Sequence, residues 1–248
     1  MTIVTRENTL IIVPAYNEAG SIAEVINELK SFGYNVLVVS DGSRDKTCEI
    51  ARELDVRVLE LPINLGVGGA LRAGFRYAVR EKYAAIVQVD ADGQHPADEI
   101  IELLKAANQN NAHLVIGSRF LSSETSMEVS ITRRLVMRVL ARSSSRATGI
   151  DITDTTSGFR IICEPLLTKF SISFPTNYLG DTYEAVVAAG RSGYKVAEIP
   201  ASLRERTAGE STASIAQAVR FTIKGLVVAM LRLHQQLEPF SETKSDAF

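Results

Sequence analysis

The stretch Val87-Gln-Val-Asp-Ala-Asp-Gly-Gln-His-Pro96 ends an apolar segment with two carboxylates that are one residue apart. Side chains along an extended chain alternate between its faces, so Asp90 and Asp92 are expected to point the same way beyond the end of a buried strand. Gln94 continues that spacing after Gly93, which permits a turn. Clustered oxygen donors of this kind suit Mg²⁺ or Mn²⁺, which keeps its other positions for water and phosphate. Taken alone, an ordinary acidic turn explains these residues equally well.

Apolar strand patterns alternate with helical patterns through the first half of the chain. The predicted strands cover residues 10–13, 36–39, 56–61 and 84–89. The predicted helices begin at residue 22 and cover residues 48–54, 70–81 and 98–108. This alternation predicts an α/β fold with a mostly parallel, Rossmann-like central sheet and helices on both faces. In such sheets, ligands bind at the carboxyl ends of the strands.

Polar residues follow the first, second and fourth predicted strands, so they should meet in one crevice. The three pairs are Tyr16 and Glu18, Asp41 and Ser43, and Asp90 and Asp92. The members of the first pair have simpler explanations: Tyr16 could be a half-buried aromatic residue, and Glu18 could be a favourable charge at a helix N-terminus. The glycines from Gly66 to Gly69 do not match the dinucleotide-binding fingerprint, and a tight turn explains them. Three clusters at equivalent positions nevertheless favour a binding site.

The overall composition is that of a globular protein of one large or two small domains. The chain has 248 residues, of which 46% are hydrophobic and 23% charged, and its formal net charge is −2. This balance argues against nucleic acid as a partner. Cys48 and Cys163 stand singly, as expected of buried thiols in a reducing compartment. We find no signal-peptide pattern and no apolar stretch that is long enough to span a bilayer, and we therefore expect a cytoplasmic protein, either soluble or peripheral at the cytoplasmic face of the membrane.

The second half carries a conspicuous arginine pattern. After a strand at residues 114–116 comes a predicted helix with one arginine every four residues, a spacing that aligns them in one stripe. The stripe consists of Arg134, Arg138, Arg142 and Arg146, with Arg133 beside the first. A solvated face is the simplest interpretation, particularly for Arg142 and Arg146, and contact with an anionic membrane surface is the alternative.

Further elements are predicted toward the end of the chain. Residues 154–160 form a polar turn that enters a strand, Asp181 and Glu184 precede a helix that continues to residue 189, and a last strand covers residues 194–199. A basic loop with Arg204 and Arg206 follows. We expect one domain over residues 1–212, an amphipathic helix over 213–236 and a disordered tail over 237–248.

These residues together resemble glycosyltransferase family 2, in particular its dolichol-phosphate mannosyltransferase-like, polyprenyl-phosphate glycosyltransferase branch. The motifs that carry the resemblance occur in the family's order and span roughly residues 10–212. They are Pro14-Ala-Tyr-Asn-Glu18, Asp41-Gly-Ser43, Leu65-Gly66, Asp90-Ala-Asp-Gly-Gln-His-Pro96, Gly117-Ser-Arg119, residues 154–160, Glu198-Ile-Pro200 and residues 206–211. The resemblance implies the A-type glycosyltransferase fold and inversion by a single in-line displacement.

The resemblance also implies a role for each motif residue. The residues expected to bind a nucleoside-diphosphate sugar are Pro14, Ala15, Tyr16, Glu18, Asp41, Ser43, Asp90, Ala91, Arg119 and Arg206. Asp90, Asp92 and Gln94 would surround Mg²⁺ or Mn²⁺, which neutralises charge on the departing diphosphate. The acceptor in this branch is a polyprenyl phosphate, a lipid phosphate that Arg133 or Arg134 would position. If the acceptor is instead a hydroxyl group, Asp181 is the candidate base.

The chain departs from the family pattern at three places. Ser40 replaces the first of two acids before Gly42-Ser43, and Gly209-Glu-Ser-Thr212 lacks the lysine usual in its motif. Many relatives carry transmembrane helices after the catalytic domain, where this chain has an amphipathic pattern, so attachment would be peripheral or through a membrane partner protein.

Two alternatives remain at this stage. One is the same donor chemistry on a glycan or other hydroxyl acceptor, and the other is a non-catalytic subunit that binds a nucleotide-sugar. The sugar, the nucleotide and the oligomeric state, including a homo-oligomer, remain open.

Overall fold

A computed structural model describes residues 2–121, 131–175, 181–202, 204, 237, 239 and 240, with the backbone only for residues 131–138. Several residues named above therefore lie outside the description. They are the side chains of Arg133, Arg134 and Arg138, the whole of Arg206, the Gly209-Glu-Ser-Thr212 segment, the predicted helix over 213–236 and most of the tail.

The described residues contain one seven-stranded sheet in the order β3-β2-β1-β4-β6-β5-β7. Its strands are β1 (Thr9–Ala15), β2 (Asn35–Ser40), β3 (Arg57–Glu60), β4 (Ala85–Gln88), β5 (Leu114–Ser118), β6 (Arg160–Cys163) and β7 (Val196–Pro200). Only β6 runs antiparallel to its neighbours, β4 and β5. The mostly parallel sheet predicted from the sequence is confirmed.

Seven α-helices connect the strands in this part of the chain. They are α1 (Ile22–Ser31), α2 (Thr47–Glu53), α3 (Val67–Arg80), α4 (Ile100–Asn110), α5 (Ile131–Thr148), α6 (Leu166–Ser173) and α7 (Asp181–Arg191). A 3-10 turn over Ala97–Glu99 leads into α4. No described helix is both long enough and apolar enough to cross a bilayer.

The alternation of side chains along each strand divides the core between the two faces of the sheet. In β1, Ile11 and Val13 pack with α1, α2 and α4, whereas Leu10 and Ile12 pack with α3, α6 and α7. Each face is covered by helices that place an apolar stripe against it, as expected of strands that are apolar on both sides. The predicted arrangement with helices on both faces is confirmed. Helix α5 packs on α7 rather than on the sheet.

The element boundaries differ locally from the sequence prediction. Helix α3 begins at Val67, three residues earlier than expected, because Gly66 with φ of 80° already turns the chain into the helix. Helix α6 was not predicted: it has only eight residues, too few for a clear helical period, although it buries Leu166, Leu167 and Phe170. Arg142 and Arg146 of α5 are exposed, in agreement with a solvated face.

The close packing of α7 on α5 yields a test of the fold. A Cβ atom added to Gly190 would lie 2.6 Å from the carbonyl oxygen of Ala147, so Gly190→Ala should force the helices apart and lower the free energy of unfolding by about 1–3 kcal/mol. This loss should occur although alanine favours a helix by about 1 kcal/mol over glycine. Chemical denaturation measures the change.

Gly74→Ala in α3 is the matched control for this substitution. Its added Cβ would meet the side chain of Ile12 at 2.9 Å rather than backbone. Because a side chain adjusts more easily than a helix backbone, the loss should be smaller. A stability of Gly190→Ala equal to or above that of Gly74→Ala would contradict the described packing.

Candidate functional site

The loops after β1 and β2 are joined by hydrogen bonds. The backbone N–H of Asn17 donates to Ser43 Oγ at 3.1 Å, and its side-chain Oδ1 accepts from the N–H of Arg44 at 2.8 Å. The N–H of Glu18 donates to Thr47 Oγ1 at 2.8 Å. Asn17 has a φ of 57°, a left-handed conformation that asparagine tolerates better than most residues. The predicted meeting of the Tyr16–Glu18 and Asp41–Ser43 clusters is therefore observed.

Asp41 connects these loops to the glycine-containing turn before α3. Its carboxylate Oδ1 accepts a hydrogen bond from the N–H of Leu65 at 2.7 Å. Burial raises the pKa of Asp41, and the N–H groups of Leu65 and Gly66 offset only part of that effect. Asp41 thus fixes the turn over residues 64–66 at the rim of the crevice.

An exposed aromatic residue follows β1 at this rim. Pro14 and Ala15 form the end of β1, where they lie opposite Val39 and Ser40 of β2. The next residue, Tyr16, is 37% exposed, whereas Ala15 is buried in the core. Tyr16 and the half-buried Pro14 therefore give the rim apolar surface of the kind that lines small-molecule sites, and the side chain of Ala15, which was expected to contact the ligand, does not.

Three neighbours hold Asp90 in place just after β4. The Gln88 side chain donates from Nε2 to Asp90 Oδ1 at 3.1 Å, and the Asp90 N–H donates to His95 Nδ1 at 3.0 Å. Burial lowers the pKa of His95, which keeps it neutral, and its ring stacks on Phe159 with centroids 5.0 Å apart. Gly158 lies so close that an added Cβ would be 2.9 Å from Asp90 Oδ2. The carboxylate is thereby restricted to one orientation.

Asp92 and Gln94 complete the acidic turn. Asp92 Oδ1 accepts from the N–H of Gln94 at 3.1 Å, and Gly93 adopts a φ of 78° between them. The carbonyl oxygen of Gln94 accepts from the N–H of Arg204 at 3.0 Å, which ties the start of the basic loop to this turn. Ala91, which separates the two aspartates in the sequence, is buried.

The oxygen atoms of this turn could supply only some of the ligands of a cation. Within the described residues, no three His, Cys, Asp or Glu side chains lie together in a way that could hold a metal ion. Two carboxylates and an amide are nevertheless sufficient for Mg²⁺ or Mn²⁺ when phosphate oxygens supply further ligands. The Asp90 side chain is 38% exposed and is therefore open to solvent.

Arg119 lies at the end of β5 in a two-point ion pair with Asp154. Its Nε and Nη2 donate to the two carboxylate oxygens at 2.7 and 2.9 Å, and Nη2 also donates to Thr156 Oγ1 at 2.7 Å. Asp154 is completely buried. Burial alone would raise the pKa of Asp154, but the hydrogen bonds and charge of Arg119 outweigh it, and the pKa lies below its ordinary value.

A second arginine, Arg160, is buried near Asp181. Its Nε donates to the Ser157 carbonyl oxygen at 3.1 Å and Nη1 to that of Thr182 at 3.2 Å. Burial lowers the pKa of Arg160 to about 10, so it remains charged at neutral pH. Asp181 Oδ1 accepts from the N–H of Thr182 at 2.8 Å, but Oδ2 has no hydrogen-bond partner within the described residues. Burial raises the pKa of Asp181 to about 6.

The structure adds residues that the sequence analysis did not select. Gln88, His95 and Gly158 orient Asp90, and Asp154 holds Arg119, which was expected only to bind phosphate. Arg160 offered a usable signal, because a charged residue inside the apolar run Phe159–Cys163 implies a buried ion. Gln88 and His95 are only two and five residues from Asp90. The contacts of Gly158 with Asp90 and of Asp154 with Arg119 join distant segments and have no comparable local pattern.

Comparison with known proteins shows clear similarity along most of the chain. A family model described as "Glycosyl transferase family 2" matches residues 10–169. The polyprenol monophosphomannose synthase of Mycolicibacterium smegmatis is 32% identical over 86% of this chain and 83% of its own length. The undecaprenyl-phosphate mannosyltransferase of Micrococcus luteus is 30% identical over 83% of this chain and 87% of its own. The family resemblance inferred from the motifs is confirmed.

Solved structures share the fold. Glucosyl-3-phosphoglycerate synthase from Mycobacterium tuberculosis, in complex with Mn²⁺, uridine diphosphate and phosphoglyceric acid, superposes with a TM-score of 0.67. The matched region covers 90% of this chain and 77% of the synthase chain, and the two sequences are 17% identical. The A-type glycosyltransferase fold expected from the sequence is thus confirmed.

The raised pKa of Asp181 predicts a measurable effect on stability. Its carboxyl group holds a proton up to about pH 6 in the folded protein but only up to about pH 4 in the unfolded chain. Between these values the folded state binds more protons, so the free energy of unfolding falls as the pH rises and stays lower above pH 6. Asp181→Asn cannot titrate and should therefore stabilise the protein at pH 7, by up to about 3 kcal/mol.

Denaturant titrations across that pH range measure the effect. Asp151→Asn, at an exposed carboxylate, is the matched control and should leave the profile unchanged. An Asp181→Asn profile with the same slope as that of the wild type would contradict the described environment, in which burial raises the pKa of Asp181 in spite of the attraction of Arg160.

Proposed function

The chain belongs to glycosyltransferase family 2, and we propose that it transfers a sugar from a nucleoside-diphosphate donor to a polyprenyl phosphate with inversion, using Mg²⁺ or Mn²⁺. One observation carries the proposal: the Asp90–Asp92 turn follows the strand next to β1, at the sheet edge where the Asp41 and Tyr16 loops meet. The similarity to a polyprenol monophosphomannose synthase and an undecaprenyl-phosphate mannosyltransferase supports the lipid-phosphate acceptor, and the Mn²⁺ and uridine diphosphate of the structural neighbour support the donor and cation.

The donor would lie along the carboxyl ends of β2, β1 and β4. Tyr16 and the half-buried Pro14 would offer apolar surface for the base, whereas the side chain of Ala15 is buried and only its backbone could take part. Glu18, Asp41 and Ser43 would offer polar groups for the ribose. Asp90, Asp92 and Gln94 would hold the cation. When bound, the cation neutralises charge on the departing nucleoside diphosphate.

Transfer would occur as a single in-line displacement. An oxygen of the acceptor phosphate forms a bond to the anomeric carbon while the bond from that carbon to the donor phosphate breaks, which inverts the configuration. The attacking oxygen is already anionic, so no proton has to be removed. Arg119 would bind the donor phosphate through charge-assisted hydrogen bonds, with Arg206 as a second ligand and Arg133 or Arg134 on the acceptor phosphate.

Because a polyprenyl acceptor resides in a membrane, we also propose peripheral contact with its surface. This proposal is motivated by two sequence patterns: the four-arginine stripe from Arg134 to Arg146, whose charge would attract anionic lipid, and the amphipathic pattern over residues 213–236.

The cation assignment predicts a large loss in Asp92→Ala. Removing one carboxylate should reduce sugar transfer at least about a hundredfold at saturating Mn²⁺, since cation stabilisation of the leaving group amounts to several kcal/mol and each ~1.4 kcal/mol is a factor of ten. The measurement is radiolabelled transfer to polyprenyl phosphate, after thermal stabilisation has identified the bound nucleotide-sugar.

Glu102→Ala, which removes an exposed carboxylate on α4, is the matched control and should retain activity. Full activity of Asp92→Ala would refute the cation site. Tight, Mn²⁺-dependent nucleotide binding by the wild type without turnover would instead favour a non-catalytic subunit.

A hydroxyl acceptor is a second candidate, favoured by the state of Asp181. Its Oδ2, which has no hydrogen-bond partner in the described part of the chain, and its raised pKa of about 6 suit a group that takes a proton from an attacking hydroxyl near neutral pH. Asp181→Asn should then abolish transfer. With a phosphate acceptor, whose oxygen carries no proton, the same substitution should cost less than about tenfold in kcat, and this smaller effect is our expected result.

A further inference from the structure

Glu198, on the edge strand β7, binds the turn that holds Arg119. Its Oε1 accepts from the N–H of Asp154 at 2.7 Å, and its Oε2 accepts from Thr153 N–H at 2.8 Å and Thr153 Oγ1 at 3.1 Å. Glu198 lies opposite Ile116 of β5, three residues before Arg119. Both carboxylate oxygens are therefore used to fix two successive backbone groups of the turn.

The turn over residues 153–156 then fixes the guanidinium of Arg119. Asp154 accepts from Arg119 Nε, Nη2 and backbone N–H, the last at 3.2 Å. Asp154 Oδ1 also accepts from Thr156 N–H and Oγ1 at 3.2 and 3.0 Å, so the carboxylate has little freedom to rotate. A hydrogen bond of 2.7 Å between Ser118 Oγ and Thr153 Oγ1 ties the turn back to β5.

The same polar turn also contacts the acidic turn. An added Cβ at Gly158 would lie 2.9 Å from Asp90 Oδ2, while Asp154, four residues earlier, holds the guanidinium of Arg119. The position of this guanidinium therefore decides how much positive charge faces a diphosphate beside Asp90 and Asp92. A displacement of even 1 Å would weaken a charge-assisted hydrogen bond strongly.

We propose that Glu198 is a positioning residue for the donor diphosphate: it fixes the Thr153–Thr156 turn so that Asp154 holds Arg119 beside the Asp90–Asp92 turn. The proposal rests on the proposed function, because it requires Arg119 to bind donor phosphate. Glu198 itself contacts no substrate in this scheme and acts only through Asp154 and Arg119.

The test is Glu198→Gln, which keeps the size of the side chain but replaces one accepting oxygen with an N–H₂ group that faces N–H donors. The dissociation constant of uridine or guanosine diphosphate with Mn²⁺, and the KM for the sugar donor, should rise about tenfold. The KM for polyprenyl phosphate should not change. The binding arm needs no turnover, so an inactive wild type would count against the proposed function without deciding the role of Glu198.

Glu164→Gln is the matched control. Glu164 makes the same kind of contact: its carboxylate accepts from the N–H of Thr168 at 3.2 Å and from Thr168 Oγ1 at 2.8 Å. It lies beside Ala84, where β4 begins, at the end of the strands away from the site. This variant should lose thermal stability and keep nucleotide affinity. If Glu198→Gln behaves in the same way, its role is structural only and the proposal is overturned.

A double-substitution cycle with Arg119→Lys tests whether Glu198 changes nucleotide affinity through Arg119. If Glu198 acts through Arg119, Glu198→Gln should add less than about twofold to the dissociation constant in the Arg119→Lys background. Independent, multiplicative effects would overturn the proposal. So would an increase confined to the KM for polyprenyl phosphate, since Arg119 would then serve the acceptor.

Discussion

The parallel pairing of β1 with β2 on one side and β4 on the other determines where the charged groups of the site lie. In that register Ala15 is opposite Ser40, and Ile12 is opposite Gln88, so the three strands end at the same edge. The strands themselves are buried on both faces and carry no charge into the core. Charged residues are therefore confined to the loops that follow these three strands, at that same edge of the sheet.

The carboxylates of the site are held in two different ways. Asp154 is completely buried, and its charge is matched by a two-point pair with Arg119 and by backbone donors. Asp90 and Asp92 accept hydrogen bonds from neutral donors, the Gln88 amide and the Gln94 N–H. Neutral donors orient a carboxylate without cancelling its charge. The proposed cation site requires carboxylates that are held in this way.

The sequence was sufficient for the parts of the fold that rest on local periodicity. The alternating apolar pattern located the strands and helices of the first half, and the strand-end rule brought the Tyr16, Asp41 and Asp90 clusters to one edge. It did not identify α6, because eight residues carry too little periodicity. Nor did it pair Arg119 with Asp154, which are 35 residues apart. Ion pairs between loops depend on strand order, and the place of the antiparallel β6 between β4 and β5 has no signature in the local pattern.

That antiparallel strand explains why the second half of the chain contributes to the same site. Because β6 runs opposite to β4 and β5, its first residues, not its last, lie at the edge where those strands end: Arg160 is opposite both Gln88 and Ile116. The polar turn before β6 is thereby placed between the Asp90 turn and Arg119, with Gly158 against Asp90 and Asp154 against Arg119. A parallel strand at this position would have brought its following loop to the edge instead. The reversal of one strand is thus what allows a single short turn to orient both the acidic group and the basic group of the site.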